Sequence, residues 1–322
     1  MQVHRDIKNL PFFHKAVITI GTFDGVHTGH HQIILQMKAE SEKINGETVI
    51  ITFDPHPRMV ISPASSPGIR LLNTLDEKIL LLENQQVDHL VIINFTKEFA
   101  DQPAEDYIKN FLVAHFHPEV VIIGYDHRFG KNRSGDYKLL EQFQASCGYE
   151  VKEIPEHVLD NAVISSTRIR KALLSGNIEI ANEALGYEYF FQGIIVEGNK
   201  LGKKLGYPTA NIQVEEESKL IPSDGIYAVE AELVEENNNE ELYSDNKKIK
   251  GMMSIGIRPT IGYSDRTIEV NLFDFDKNIY GRTLRVFLKS YIRPEVKFEG
   301  LEELKKQIDL DKIAAENILN IH

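Results

Sequence analysis

The chain has 322 residues, 42% of them hydrophobic and 26% charged. These are ordinary values for a globular protein, and they exclude a disordered, collagen-like or coiled-coil chain. At roughly 150 residues per domain, the length predicts about two domains. Lys and Arg total 36 against 48 Asp and Glu, and this net charge of −12 argues against extended binding to a nucleic-acid backbone.

Cysteine content and hydropathy bear on the cellular compartment. Cys147 is the only cysteine, which excludes a disulfide within the chain and any multi-cysteine metal site. The first ten residues lack the basic start and apolar stretch of a signal peptide. No apolar run approaches the ~20 residues that a membrane span needs. We therefore predict a cytoplasmic protein that binds neither nucleic acid nor membrane.

In the first half, short β-branched runs alternate with longer amphipathic stretches, which is typical of a parallel sheet covered by helices. The predicted strands are 17–20, 48–53, 89–95, 120–123 and 150–154. The predicted helices between them include 28–42, 75–83, 104–116 and 137–146. Five strands alternating with helices predict a doubly wound, Rossmann-like α/β sheet.

The alternation of β-branched runs with amphipathic stretches ends near residue 186. Two further helices are predicted over 167–175 and 178–185, and Gly186 follows as a helix stop. Beyond it, glycines and prolines separate short apolar runs, as in an antiparallel barrel or sandwich, and only 301–319 has the pattern of a long helix. We predict one domain over 1–186 and a second over 187–322. The acidic, Asn-rich stretch 235–245 is predicted to be a solvated loop.

The first group of candidate functional residues is the sequence GTFDGVHTGH at 21–30, which leaves the first predicted strand and opens the first long helix. Ligands bind at this edge of open parallel sheets, and a helix N-terminus presents free N–H groups to an anion. His27 and His30 lie one helical turn apart, so both imidazoles can face one phosphate, donating hydrogen bonds or positive charge. A zinc site with His31 is the weaker interpretation, since adjacent histidines point to different faces of a helix.

This segment resembles the signature of the HxGH nucleotidyltransferases, in the version carried by bacterial FAD synthetases. Three later segments match in order, namely TFDPHP at 52–57, GYDHRFG at 124–130 and ISSTRIR at 164–170. The resemblance implies transfer of AMP from ATP to a phosphate acceptor, with His27 and His30 as catalytic residues. The nucleotide-binding residues that it implies are Gly21, Phe23, Asp24, Gly29, Asp126, Ser166, Thr167 and Arg170. His127 stands where that family usually has an aromatic residue.

The second group lies in the β-rich half, within GIIVEGNKLGKKLGYPTAN at 193–211. Its glycine spacing, and the absence of Ser or Thr after the lysines, exclude a Walker loop. A glycine loop with two lysines can cradle phosphates, and Thr209 and Asn211 supply the hard oxygen ligands that Mg²⁺ prefers. The alternative is a glycine-rich hairpin with surface lysines.

This stretch resembles the glycine loop and PTAN motif of riboflavin kinases, which are small antiparallel β-barrels with a C-terminal helix. The resemblance implies that Glu269 is the general base and that Thr209 and Asn211 hold Mg²⁺. It implies nucleotide contacts from Gly198, Gly202, Lys203, Gly206 and Pro208, and flavin contacts from Arg293 and Phe298. On an outward face, Glu269 would instead be an ordinary solvated glutamate.

The two resemblances follow each other along residues 17–319, in the order found in a bacterial family that combines both activities. They imply conversion of riboflavin to FMN and of FMN to FAD, with ATP as co-substrate of both steps. Lys203 replaces a common arginine and Pro294 a usual acidic residue, so an FAD synthetase with an impaired kinase half stays open. A flavin-binding regulatory module is a second alternative, and a different HxGH transferase leaves the β-rich half unexplained. The oligomeric state stays undetermined.

Overall fold

The computed structural model describes residues 1–63, 68–155, 165–198, 201–234, 248–260 and 263–320, with backbone alone at 201, 203, 258–260 and 263–265. The chain forms two compact units, Met1–Ser166 and Thr167–His322. The predicted loop 235–245 lies outside the described residues. Within those residues, no helix is both long enough and apolar enough to cross a membrane.

The first unit is built on a parallel sheet of six strands in the order β1-β4-β3-β2-β5-β6. The strands are β1 (Gln2–His4), β2 (Val17–Ile20), β3 (Thr48–Asp54), β4 (His89–Asn94), β5 (Val120–Gly124) and β6 (Glu150–Ile154). All four residues of β2 are buried, because helices cover both faces of the sheet. The five predicted strands are confirmed. β1 is an additional edge strand, and its three residues are too few to show an alternating pattern.

Helices cover both faces of this sheet. They are α1 (Thr28–Ile44), α2 (Pro57–Ile61), α3 (Leu75–Glu83), α4 (Lys97–Ala100), α5 (Ala104–Asp106), α6 (Ala114–Phe116) and α7 (Tyr137–Cys147). A π-helical segment, Tyr107–Val113, joins α5 to α6, so the predicted helix 104–116 is continuous but locally widened. One core packs Met37 of α1 and Leu82 of α3 against the sheet, and the other packs Phe111 and Phe116 against the opposite face.

The second unit contains a closed antiparallel barrel with strand order β10-β11-β8-β7-β12-β9. Its strands are β7 (Phe190–Val196), β8 (Ala210–Gln213), β9 (Gly225–Val234), β10 (Ile249–Thr260), β11 (Tyr263–Leu272) and β12 (Thr283–Arg293). Its helices are α8 (Ser166–Leu174), which begins at the last residue of the first unit, α9 (Ile178–Leu185), α10 (Leu201–Leu205) and α11 (Leu301–Asn320). Ala315 and Leu319 of α11 pack against Ala228 and Met252. The predicted fold class, a parallel α/β sheet followed by a β-barrel with a C-terminal helix, is confirmed.

The helices that precede the barrel belong to its compact unit, although the sequence pattern groups them with the first half. The Asn182 side chain in α9 donates a hydrogen bond to the Leu288 carbonyl of β12 at 2.9 Å. The backbone N–H of Ser223 donates to the Leu173 carbonyl at 3.2 Å. An amphipathic helix shows that one face is buried, but not which core buries it. The division of the two activities at 186/187 stays a prediction.

Candidate functional site

The glycine-rich turn after β2 has an unusual backbone. Phe23 and Val26 have φ angles of +47° and +36°, and Gly25 has +91°. Two non-glycine residues in the left-handed region so close together indicate a conformation held by its surroundings. At Gly21 an added Cβ would come within 3.2 Å of the Phe23 ring, so a side chain there would press on the turn.

Asp24 is buried and holds this turn in place through two hydrogen bonds. Its side chain is 2% exposed, and its Oδ1 accepts a hydrogen bond from the backbone N–H of Leu72 at 2.9 Å. The Asp24 carbonyl accepts a second bond, from the Ser166 hydroxyl, also at 2.9 Å. The structure therefore brings together two of the predicted nucleotide-binding residues, which are 142 positions apart. The Asp24 carboxylate ties the turn to the loop before α3.

His27 and His30 form a stacked pair at the N-terminus of α1. Their ring centroids are 3.8 Å apart with an interplanar angle of 18°, and the His30 ring also lies 4.8 Å from that of Phe23. The backbone N–H of His27 donates to Nδ1 of His30 at 3.2 Å. An added Cβ at Gly29 would lie 3.2 Å from the His27 ring. The absence of a side chain at Gly29 therefore leaves room for this ring.

The hydrogen bond to Nδ1 determines the chemistry of His30. Burial lowers the pKa of His30 well below its ordinary 6.5, and the positive potentials of His27 and Lys78 lower it further. His30 is therefore neutral at physiological pH, and because its Nδ1 accepts a bond, its proton is assigned to Nε2. Of the two roles that the sequence allows, the structure favours hydrogen-bond donation over positive charge for this residue.

Lys78 is a functional candidate that the sequence reasoning missed. It lies on α3 with 6% of its side chain exposed, and its Nζ donates to the Thr22 carbonyl of the glycine-rich turn at 2.8 Å. Its position three residues after Leu75 and four before Leu82, on the apolar face of α3, was the available signal. A lysine there is unusual, because lysine is seldom fully buried without a partner.

The loop after β5 carries Asp126 and His127. Asp126 is exposed at the carboxyl end of the strand, and the backbone N–H of His127 donates to the Gly124 carbonyl at 3.0 Å. Burial, with smaller contributions from Arg133 and Arg128, lowers the pKa of His127 to about 4. His127 is therefore a neutral aromatic ring at physiological pH, which suits a position where an aromatic residue is usual.

The remaining residues predicted for nucleotidyl transfer lie at the beginning of α8. Thr167 is exposed and Arg170 is half-buried, and both belong to the second compact unit. The placement of Ser166 at the start of this helix agrees with the predicted helix opening. Nucleotide contacts from Thr167 and Arg170 stay predictions.

In the second unit, three predicted residues meet where β8 pairs with β11. The Thr209 hydroxyl donates to Oε2 of Glu269 at 3.0 Å. Asn211 lies directly opposite Glu269 in the antiparallel register. The Asn211 amide also packs against Gly198, where an added Cβ would lie only 2.1 Å from Nδ2. The structure thus joins a carboxylate, a hydroxyl, an amide and a glycine loop, all of which the sequence singled out.

The loop before β8 is fixed by its backbone. An added Cβ at Gly202 would lie 2.3 Å from the Tyr207 carbonyl, and Gly206 has a φ of +89°. The Pro208 carbonyl accepts a 2.7 Å bond from the buried Asn271 side chain. The Tyr207 hydroxyl donates to Asp309 of α11, and burial together with that carboxylate raises the pKa of Tyr207 to about 12. The side chain of Lys203 lies outside the described residues.

Arg293 and Phe298, the predicted flavin contacts, lie close together. The Arg293 guanidinium is 5.9 Å from the Phe298 ring centroid and binds Asp311 of α11 through Nε at 2.7 Å and Nη2 at 2.6 Å. Asp311 is 3% exposed and also accepts a bond from Gln307 at 2.9 Å. Sequence reasoning did not identify Asp311, because a single aspartate within a charged helix has no distinctive pattern.

Glu295 is a third residue that the sequence reasoning missed. Its carboxylate lies against the backbone of Gly256, where an added Cβ would come within 2.0 Å of Oε2. The Ser254 hydroxyl donates to Oε1 of Glu295 at 3.5 Å, and Ser254 lies opposite Glu269 in the β10–β11 register. Glu295 is exposed as a whole residue, but partial desolvation of its carboxylate, and next the charge of Asp224, raises its pKa. A second carboxyl group therefore lies near the strands that carry Glu269.

Comparison with known proteins identifies the family of the chain. Residues 10–168 match the family model for FAD synthetase, and residues 185–319 match that for riboflavin kinase. The bifunctional riboflavin kinase/FMN adenylyltransferase of Buchnera aphidicola subsp. Schizaphis graminum is 36% identical, covering 97% of this chain and 96% of that protein. The protein of the same name from Haemophilus influenzae is 35% identical over 95% of this chain and 94% of its own length.

A solved structure shares the fold of the whole chain. It is titled a macrolide-efflux protein from Streptococcus pneumoniae, and it covers 98% of this chain and 99% of its own with a TM-score of 0.85 and 27% identity. The two family matches run consecutively along this chain, and the names of these two relatives combine the two activities. The chain belongs to the family of bifunctional riboflavin kinase/FMN adenylyltransferases.

Proposed function

We propose that this chain catalyses two consecutive reactions of flavin nucleotide synthesis. Residues 187–322 transfer the γ-phosphoryl group of ATP to riboflavin, giving FMN and ADP. Residues 1–186 transfer AMP from a second ATP to the FMN phosphate, giving FAD and pyrophosphate. The observation that carries the proposal for the kinase reaction is the contact of Thr209 with Glu269, opposite Asn211, because it puts a carboxylate base beside oxygen ligands suited to Mg²⁺.

In the phosphorylation step, Glu269 is the general base. One of its carboxylate oxygens accepts the Thr209 hydroxyl bond, which orients the group. The other accepts the proton of the riboflavin hydroxyl as that oxygen attacks the γ-phosphorus and the bond to ADP breaks. Such proton transfer contributes about 10²- to 10⁴-fold to a rate. The nucleotide is bound by the glycine loop, through Gly198, Gly202, Lys203, Gly206 and Pro208.

The residues around Glu269 also fit a magnesium ion. Among the described residues, no three His, Cys, Asp or Glu side chains are arranged to hold a metal. Mg²⁺ needs no such cage, because one or two protein oxygens together with substrate phosphates and water complete its shell. Thr209 and Asn211 supply those oxygens. When bound, Mg²⁺ neutralises polyphosphate charge.

In the adenylyl-transfer step, the glycine-rich turn and the histidine pair act on the α-phosphate. Nε2 of His30 donates a hydrogen bond to an α-phosphate oxygen as negative charge develops during attack by the FMN phosphate. His27 stacks on that ring and holds it at the helix N-terminus. Gly21 and Gly29 allow the phosphate to approach the backbone, and pyrophosphate leaves.

The other residues predicted for adenylyl transfer have supporting roles. Phe23 and Asp24 hold the turn, through the ring contact with His30 and the buried carboxylate. Asp126, Ser166 and Thr167 contact the nucleotide. The Arg170 guanidinium is suited to two polyphosphate oxygens at once.

Arg293 and Phe298 contact the flavin in the riboflavin kinase reaction. The Phe298 ring offers an apolar surface for the ring system, and the charge of Arg293 is partly neutralised by Asp311. We also propose a cytoplasmic location for the protein, because both reactions consume ATP.

The proposal is tested by separating flavins chromatographically after incubation of the full chain with ATP and Mg²⁺, starting from riboflavin or from FMN. We expect riboflavin to pass through FMN to FAD. Glu269→Gln should abolish FMN formation and spare FAD formation from FMN, and a double change of His27→Ala and His30→Ala should do the reverse. His31→Ala is the matched control, because His31 binds Gln85 at 2.6 Å on another face of α1.

Three outcomes would contradict the proposal in whole or in part. Failure of the wild-type chain to convert either flavin would refute the enzymatic function. Equal loss of both activities in Glu269→Gln would refute separate sites. FAD formation from FMN but not from riboflavin would support the alternative of an impaired kinase half, for which Lys203 and Pro294 are the suspected residues.

A further inference from the structure

Lys78 occupies a position beneath the glycine-rich turn. Its Nζ donates to the Thr22 carbonyl at 2.8 Å and to the Thr52 hydroxyl oxygen at 3.5 Å. The Thr52 hydroxyl donates in turn to the same Thr22 carbonyl at 3.2 Å. The Thr22 carbonyl belongs to the peptide that joins Thr22 to Phe23, so the ammonium group is hydrogen-bonded to the second peptide of the turn that starts at Gly21. Two donors, one from α3 and one from β3, thus meet at a single carbonyl oxygen of the turn.

Burying this ammonium group opposes folding. Desolvation lowers the pKa of Lys78, and the carboxylates of Asp24 and Asp54 act against that shift. A buried charge is tolerated where carboxylates and hydrogen bonds compensate it. Methionine has a similar unbranched stem and would fill the same space on the apolar face of α3 without this penalty. A charged group at this position therefore indicates a role beyond packing.

The bond to Thr22 determines the direction of a peptide group. In a trans peptide, the N–H of Phe23 points opposite to the Thr22 carbonyl. By holding the carbonyl on one side, Lys78 directs that N–H away from itself and stabilises the left-handed conformation of Phe23, whose φ is +47°. The Phe23 ring then lies 4.8 Å from His30. Lys78 is therefore linked through one peptide to the histidine pair.

We propose that Lys78 is a positioning residue for adenylyl transfer, which anchors the glycine-rich turn through the Thr22 carbonyl and so holds Phe23 and His30 in their reactive arrangement. This inference rests on the proposed function of the first unit. Lys78 also contributes positive potential at His30, together with His27, and so favours the neutral imidazole. The charged groups that face Lys78 are Asp24 in the turn and Asp54 at the end of β3.

The test compares Lys78→Met and Lys78→Gln with the wild-type full chain in FAD formation from FMN and ATP, across pH 5 to 9. We expect kcat to fall by about 100-fold in Lys78→Met, as for loss of a preorganised donor, with a smaller change in KM. The acid limb of the pH profile should move to higher pH in both variants, because the pKa of His30 rises when the nearby positive charge is removed. Lys78→Gln retains a donor for the Thr22 carbonyl and should keep more of kcat.

Four controls separate the outcomes. FMN formation from riboflavin monitors the second unit in each sample, and hydrogen exchange of β2 and β3 amides monitors folding of the first. Lys43→Met, at a side chain 64% exposed on α1, should leave both activities unchanged. Wild-type FAD formation establishes that the proposed function holds, so that a failure of the Lys78 inference can be recognised separately.

Two results would overturn the inference. A folded Lys78 variant with the wild-type kcat and acid limb would show that Lys78 does not position the turn. Unfolding of the first unit in both variants would assign Lys78 a purely structural role. A shifted acid limb with a reduced kcat in a folded variant is the result that supports it.

Discussion

Removing one partner of the buried ion pair between Arg293 and Asp311 should strongly destabilise the second unit. Asp311 is 3% exposed and accepts three hydrogen bonds, two from Arg293 and one from Gln307. Removing one partner of a buried pair costs about 3–5 kcal/mol, because the other charge stays desolvated. The Arg293 side chain is 18% exposed and regains some hydration. We therefore expect Asp311→Ala to lower the free energy of unfolding by about 3 kcal/mol, the lower end of that range.

Hydrogen exchange read by mass spectrometry measures this effect on the full chain, because peptides from β9 and β12 report the second unit alone. A loss of about 3 kcal/mol corresponds to roughly 100-fold faster exchange by global opening. Glu316→Ala is the matched control on the same helix, since it removes a surface pair with Lys312 at 3.6 Å and should cost less than about 0.5 kcal/mol. Equal effects of the two substitutions would refute the reasoning from burial.

Three further predictions concern the two sites. Because the pKa of folded His127 is about 4 against an ordinary 6.5, the unfolded state binds more protons at this residue between these values. We therefore expect the contribution of His127 to the free energy of unfolding to fall by about 3 kcal/mol as the pH drops from 6.5 to 4. His127→Phe should flatten that slope in calorimetric unfolding at pH 7.5, 6 and 5, and a slope equal to wild type would contradict burial as its cause. Gly198→Ala should reduce FMN formation by at least about 10-fold, because its Cβ would displace the Asn211 amide. Gly300→Ala is the control, because its Cβ would meet no atom within 4 Å, and it should leave FMN formation unchanged. Thr209→Val should lower the kcat of FMN formation by about 100-fold and Thr209→Ser much less, and equal rates would show that the hydroxyl is dispensable.

The fold was largely predictable because its elements are long and periodic. The five strands from β2 to β6 are short β-branched runs between amphipathic stretches, and α3 and α9 have the predicted bounds. β1 escaped detection because a three-residue strand has no period. The π-helical segment also escaped, because a helix pattern does not distinguish i+4 from i+5 hydrogen bonding over seven residues.

Much of the candidate site could also be predicted, since glycine turns and polar motifs occupy contiguous segments. Glu269 was proposed through resemblance, and the structure places it against Thr209 and opposite Asn211. Lys78, Asp311 and Glu295 could not be found in this way. Each acts through partners far along the chain, and its own neighbours in sequence give no motif.

The sequence by itself determined the order of the two folds, the glycine-rich turn and the types of residue in both candidate sites. These properties depend on local periodicity, on backbone freedom at glycine and on residue chemistry, all of which are properties of short segments. Only the tertiary structure decided the protonation of His30, the partner of Arg293 and the burial of Lys78. Burial and long-range pairing set these properties, since desolvation and hydrogen bonding depend on which segments the fold brings into contact.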